Sequence, residues 1–363
     1  MSLDSYLRAA PKAELHVHLE GAIQPATLLE LAGRNGVILP ADSVEGLRRW
    51  FTFRDFSHFI EVYIAVTRCL RAADDYELIA YEFGAEMARQ NVRYAEVTFT
   101  PATHHFLLGI PHATYFGGLT RGRARARADF GVEIAWIFDM AHNPADPART
   151  RANAAYTLGV AVEGMNDGVV AFGLAGIEAG HSFENIAPWF DEARAAGLHS
   201  APHAGETMGP ESVWGAIQAL GAERVGHGVR AVEDPTLVAH LAERGIPLEI
   251  CPTSNVRTGV YHSLAAHPLP DLHAAGVTIT INSDDPPLFN TALNDEVVLL
   301  ADPFALDVPA IDKVLLNAVR HSFLPLTRKQ ELEATFSMEL AALKTAHLTG
   351  EQATAASPHT LPV

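Results

Sequence analysis

Four short segments hold the residues best suited to chemistry in this chain: His16-Val17-His18, His203-Ala204-Gly205-Glu206, Gly226-His227-Gly228 and Ser283-Asp284-Asp285-Pro286. They bring imidazoles and two adjacent carboxylates, each placed where a short apolar run gives way to a turn. Neutral imidazole nitrogens and a carboxylate oxygen are the donors a catalytic zinc takes while keeping a position for water. An isolated H-x-H pair carries little weight. Segments of this kind spread over most of the chain, each at a run's end, point to metal ligation by His16, His18, His203 and Asp284. Taken singly, the other residues have plainer readings. Glu206 could be a first-turn residue favoured by a helix dipole, His227 a loop residue between glycines, and Asp285-Pro286 a helix start. Cys251 reads as a small buried hydrophobe. His104, His105 and His181 have no strand-end partner and read as surface or loop histidines.

The elements that position these segments follow from composition and pattern. A chain of 363 residues suits either two ordinary domains or one large α/β barrel. With 48% of residues hydrophobic, a large core is available and wholesale disorder is excluded. The 43 acidic against 26 basic residues give a formal charge of -17, which repels phosphate backbones and disfavours a nucleic-acid partner. The start, MSLDSYLRAAPKAEL, has no basic region followed by an apolar stretch, and no apolar run approaches the roughly 18 residues of a membrane span. A membrane partner is therefore not expected. Cys69 and Cys251 are the two cysteines, far apart in sequence, which suits a reducing cytoplasm.

Short β-rich runs recur at Glu14–Leu19, Arg93–Thr100, Val132–Asp139, Val169–Leu174, His199–His203, Arg224–Gly226, Pro247–Cys251 and Val277–Ile281. Helical stretches separate them, among them Tyr76–Arg89, Pro188–Ala196, Glu211–Leu220, Pro235–Glu243 and Pro268–Ala275. Eight apolar strands alternating with helices predict an all-parallel sheet closed into a (β/α)8 barrel. The main alternative, a doubly wound open sheet, lacks the expected G-x-G-x-x-G after its first strand. The aromatic-rich Ser43–Leu70 predicts a helical insertion after the first strand, in which Phe53, Phe56 and Phe59 are candidates to face a ligand. Asp307–Leu348 predicts extra C-terminal helix, so that residues 1–348 form one barrel unit and 349–363 a polar tail. The basic run Arg121–Arg127 reads as a solvated helix face.

In such a barrel the catalytic residues gather at the C-terminal strand ends. His16 and His18, two apart on one strand, point to the same face, and Glu20 continues that alternation toward the mouth. No lysine lies between Lys12 and Lys313, so the fourth strand offers no carboxylated lysine to bridge two metals. Glu178 could bridge in principle, yet one zinc per chain is the simpler reading. A second cysteine of a P-C-x-x-C zinc motif is also missing after Cys251-Pro252.

P-K-A-E-L-H-V-H-L-E-G-A (Pro11–Ala22), A-F-G-L-A-G (Ala171–Gly176), H-A-G-E (His203–Glu206), R-V-G-H-G (Arg224–Gly228), E-I-C-P-T-S-N (Glu249–Asn255), N-S-D-D-P (Asn282–Pro286) and S-F-L-P (Ser322–Pro325) closely resemble the adenosine deaminase family. These long motifs recur in order from Pro11 to Pro325. The resemblance implies a zinc-dependent aminohydrolase acting on a 6-aminopurine, with His16, His18, His203 and Asp284 as ligands. It implies Glu206 as proton donor to purine N1, His227 as the residue that orients and deprotonates the attacking water, and Asp285 as partner of N7. The backbone at Gly176 would contact the N3 edge, and Glu20 would reach toward the sugar. The preferred substrate expected on this basis is adenosine, with 2′-deoxyadenosine also accepted, as in purine salvage. The alternative is another 6-aminopurine: adenine, or 6-aminodeoxyfutalosine, an adenine nucleoside whose sugar bears a carboxylated aromatic arm. Arg230 and Arg257 are the cations expected to meet such a distal carboxylate.

Overall fold

Each of the eight apolar runs becomes a strand: β1 Lys12–His18, β2 Val92–Phe99, β3 Glu133–His142, β4 Val169–Gly176, β5 His199–Ala204, β6 Val225–His227, β7 Leu248–Ile250 and β8 Ile279–Ile281. In this computed structural model, which describes residues 2–348, they form one sheet in sequential order, parallel at every pairing. The expected tail at 349–363 lies outside the described residues. Because helices cover the outer face and side chains fill the inside, the strands are buried on both faces and read as apolar runs rather than alternations. Residues of β1, β6, β7 and β8 are buried throughout. The architecture is the (β/α)8 barrel.

The barrel closes just past β8, where Val17 and Asp284 form a parallel bridge. His18 N donates to Asp284 O at 2.8 Å and Asp284 N to His16 O at 3.1 Å. The closing seam therefore runs between the two β1 histidines and the β8 aspartate. Two glycines permit this crowding. A Cβ on Gly226 would meet the His16 ring at 2.8 Å, and one on Gly21 would fall 1.6 Å from Asp285 Oδ1. The glycines of R-V-G-H-G and L-E-G thus mark close approach at the site.

Between β1 and β2 the insertion forms helices at Val44–Trp50 and Phe56–Thr67, the latter capped by Asp55, whose carboxylate accepts from His58 N at 2.8 Å. Phe59 stacks on Phe289 with centroids 5.2 Å apart, which ties the insertion to the loop after β8. Helices Val308–Arg320 and Leu326–His347 follow the barrel, as expected. Two local readings differ. The helix expected to begin at Pro188 starts at Phe183, because burying Ile186, Phe190 and Ala193 on one face outweighs the amide donor missing at Pro188. The Arg121–Arg127 run is solvated only in part: Arg121 and Arg125 pair with Glu77, whereas Arg123 turns inward to Ile134 O and Asp167 O. Among the described residues, no helix is long and apolar enough to cross a membrane.

Candidate active site

β1 carries His16 and His18 on its inner face, β5 delivers His203 at its end, and the turn after β8 delivers Asp284. Their side-chain donors converge. His18 Nε2 lies 3.2 Å from His203 Nε2 and 3.4 Å from Asp284 Oδ1, and His16 Nε2 lies 3.5 Å from the same oxygen. Donors held about 2.0–2.2 Å from one zinc stand roughly 3 to 3.6 Å apart, so the spacing fits a single ion. Outer partners set the tautomers. His16 Nδ1 donates to Glu249 Oε2 at 2.9 Å, and His203 Nδ1 to Leu174 O at 2.8 Å, so both Nε2 lone pairs face the cluster. His16 Nε2 is buried and finds no hydrogen-bond partner, as a ligand nitrogen without its ion would be. Burial opposes charge on His16, but the Asp284 and Glu249 carboxylates overcome it and push the ring up to about 10. Burial alone would raise Asp284, yet the close approach of His16 and the other nearby imidazoles holds it well below the usual carboxylate range.

Glu206 and Asp285 behave in the opposite way. Burial, then repulsion from Asp284 and Glu178, pushes Glu206 well above its ordinary value, toward the protonated form. Burial followed by the adjacent Asp284 does the same to Asp285, whose Oδ1 has no hydrogen-bond partner. Their environments push the pair apart, Asp284 toward the ionised form and Asp285 toward the protonated one.

His227 sits beside them with Nε2 3.8 Å from Glu206 Oε2 and 3.8 Å from Asp284 Oδ2. Burial keeps its ring neutral, lowered to about 3. A chain of donors settles which nitrogen holds the proton. Leu269 N donates to His267 Nδ1 at 3.1 Å, His267 Nε2 to Asn255 Oδ1 at 3.1 Å, and Asn255 Nδ2 to His227 Nδ1 at 3.2 Å. The His227 proton is thereby left on Nε2, facing the chamber. This supports the orienting part of the role implied for His227 and not the proton-accepting part. His227 and Asp284 also hold left-handed backbones (φ 59 and 63), each costing about 1 kcal/mol or more and kept where the site needs them.

These groups open into a cavity of about 430 Å³ whose lining includes His18, His203, Glu206, His227, Asp284 and Asp285. Gly176 lines it from the end of β4, and the insertion contributes Phe56 and Phe59, but Phe53 is not in the lining. Glu20 is not in the lining either. It is fully buried, and its carboxylate accepts from His104 Nε2 at 2.8 Å. His104, read from sequence as a surface or loop residue, is itself fully buried, stacked on Phe99 and bonded to Tyr76. Its position just past the end of β2 was the overlooked signal. His181 likewise lines the cavity, with neither ring nitrogen partnered.

Two further assignments change. Glu178, considered as a metal bridge, instead accepts from the backbone N–H of Gly205, Thr207 (2.7 Å) and Met208 (2.8 Å) and from Thr207 Oγ1 (3.0 Å). It clamps the loop that carries Glu206, with both oxygens used. Arg230 is committed to Glu233 and Thr207 O, and neither it nor the exposed Arg257 lines the cavity; the arginine that does is Arg149.

A profile of the adenosine deaminase family matches residues 11–337. The chain is 43% identical over 330 residues to the aminodeoxyfutalosine deaminase of Streptomyces coelicolor, covering 91% of this chain and 84% of that protein. It is 36% identical over 335 residues to the adenine deaminase of Cupriavidus necator, covering 92% and 93%. A Burkholderia ambifaria amidohydrolase solved with bound Zn superposes with a TM-score of 0.85 at 28% identity, covering 94% of each chain. These relatives overturn adenosine and deoxyadenosine as the expected substrates, since they are named for aminodeoxyfutalosine and adenine. Glu20, expected to reach toward a sugar, instead turns to His104 and lies outside the cavity lining. With its motifs, its barrel and its converging donors all in place, the chain belongs to the adenosine deaminase family.

Proposed function

We propose that the chain is an aminodeoxyfutalosine deaminase, replacing the 6-amino group of an adenine nucleoside with oxygen and releasing ammonia. What supports the chemistry is Glu206, a buried carboxyl pushed toward its protonated form, beside the converging side chains of His16, His18, His203 and Asp284. His16, His18, His203 and Asp284 would hold one zinc ion per chain. Bound zinc supplies a Lewis acid that makes water nucleophilic near neutral pH.

The protein's own groups do the rest. Attack of water at C6 breaks the aromaticity of the ring, and the charge that develops at N1 needs a proton in the same step. Glu206 donates it, and the two protons that the attacking water brings are then divided, one returning to Glu206 and one going to the amino nitrogen as the C6–N bond breaks and ammonia leaves. His227, with its Nε2–H toward the chamber, holds the attacking oxygen by donating a hydrogen bond. Asp285, protonated, donates to N7, and the backbone at Gly176 borders the N3 edge. Glu20 and His104 back the pocket from behind its wall instead of touching the sugar. The cavity supports an extended nucleoside, for it runs well beyond the acidic cluster along aromatic and aliphatic side chains. The second reading, adenine as substrate, is favoured by the Cupriavidus relative.

The deciding experiment compares kcat/KM by ammonia release for aminodeoxyfutalosine, adenosine, adenine and AMP in one buffer. Aminodeoxyfutalosine is expected to lead by more than about tenfold, equivalent to roughly 1.4 kcal/mol of transition-state discrimination. A lead for adenine replaces this reading with the second.

A further inference from the structure

The cavity changes character along its length. Its inner end is acidic and imidazole-rich, whereas the outer part is walled by Phe56, Phe59, Ile60 and Ile64 of the insertion helix and by Phe106 and Leu107 after β2. Phe106, Leu107 and Ile177 are 38%, 48% and 43% exposed. They are among the few large apolar side chains exposed anywhere in the described residues, and all three line this one mouth. An exposed apolar rim around a concave site marks contact with a ligand rather than with water.

Arg149 stands at that rim, in the first turn of the helix Pro147–Glu163. It is the one lysine or arginine lining the cavity, and its guanidinium lies over the Phe106 ring with Cζ 4.9 Å from the centroid. Among the described residues no carboxylate pairs with it. A planar, weakly hydrated cation parked on an aromatic face is arranged to take a carboxylate in two-pronged fashion. A phosphate on the sugar's 5′ position fits less well. The lining also holds the carboxyl groups of Asp139 and Asp285 and an apolar wall, both of which oppose a doubly charged phosphate.

We propose that the outer half of the cavity is a subsite for an aromatic arm ending in a carboxylate, with Phe106 beside the ring and Arg149 pairing with the anion. This rests on the aminodeoxyfutalosine reading and adds the residue that enforces it. Arg230 and Arg257, the cations suggested by sequence, lie outside the lining.

The test measures kcat/KM for aminodeoxyfutalosine, its arm methyl ester and adenosine in the zinc-loaded wild type, Arg149→Met, Arg149→Lys and Arg151→Met. Arg149 is exposed, so its substitution leaves the core intact; Arg151, on the same helix and outside the lining, is the control. The wild type should prefer the acid over the ester by about tenfold or more. Arg149→Met should reduce that ratio to within about threefold of unity, Arg149→Lys should restore part of it, and Arg151→Met should leave it unchanged. A wild type that prefers adenosine to the armed substrate overturns both readings. A wild type that prefers the armed substrate, with an acid-to-ester ratio unaltered in Arg149→Met, overturns the Arg149 subsite alone.

Discussion

Glu178 offers a test of how the Glu206 loop is held, separate from the metal. Its carboxylate is 7% exposed and accepts hydrogen bonds from the backbone amides of Gly205, Thr207 and Met208 and from the Thr207 hydroxyl. Glu178→Gln keeps the shape but converts one oxygen into an NH₂ group. If the remaining oxygen keeps Thr207 and Met208, the new donor faces the Gly205 N–H, and a buried donor is left unpaired at a cost of about 1–3 kcal/mol. The three surviving bonds lose their charge assistance, together costing roughly another 1–2 kcal/mol. The expected destabilisation is about 3 kcal/mol. With an unfolding entropy near 2.1 cal/mol/K per residue, that lowers Tm by about 4 °C for a chain of this size. Slack in the loop displaces Glu206, and a shift approaching 1 Å at a proton donor costs up to about 10² in rate. Zinc content should not change, because Glu178 touches none of the four donors. The assay pairs calorimetry and elemental analysis with ammonia release. A variant within about twofold of wild-type kcat and about 1 °C of its Tm would refute the clamp.

Glu206→Gln keeps a hydrogen-bond donor but cannot give up a proton, so turnover should fall by at least about 10² with zinc retained, as activity and metal analysis together will show. His203→Ala removes one of four converging donors and should lose both metal and activity; elemental analysis of the wild type should return one zinc per chain. Asn255→Asp offers His227 Nδ1 an acceptor and moves the ring proton off Nε2, which 15N NMR of the ring will report; turnover should fall, whereas a gain would restore His227 as the base. His267, held neutral by burial down to about 4, stays uncharged in the folded chain while the unfolded chain protonates near 6.5. Its contribution is complete above pH 6.5 and disappears as pH falls to about 4, a term of about 3 kcal/mol. The loss of Tm between those pH values should therefore be about 4 °C smaller in His267→Gln.

The barrel was legible because its strands are buried on both faces. A continuous apolar run bounded by turn residues survives any detail of packing, and all eight strands sit within a few residues of the runs read from the sequence. The donors were legible for a related reason. His16, His18, His203 and Asp284 occupy strand ends, and barrel geometry alone brings strand ends to one mouth. The nitrogens that face inward were not legible. They depend on Glu249, Leu174 and the Asn255–His267 chain, whose members are distant in sequence and meet only through closure.

Substrate choice was hidden one layer further out. Glu20 extends the alternation of β1 toward the mouth, and from sequence its carboxylate is aimed at a sugar. What withdraws it is His104, 84 residues away, presented by the irregular turn after β2 and fixed there by Phe99 and Tyr76. The same turn continues into Phe106 and Leu107, and the loop after β3 sets Arg149 over Phe106. One loop pair thus withdraws the Glu20 carboxylate from the cavity and supplies an apolar wall with a cation at its edge. Neither loop has periodicity or a motif, so nothing in the pattern of residues announces the change. The donors at the strand ends are fixed by barrel geometry, whereas the outer loops are free to define what a bound ligand may carry. Under the proposed function, what sets the substrate apart would lie in residues 103–107 and Arg149 rather than in the four converging donors.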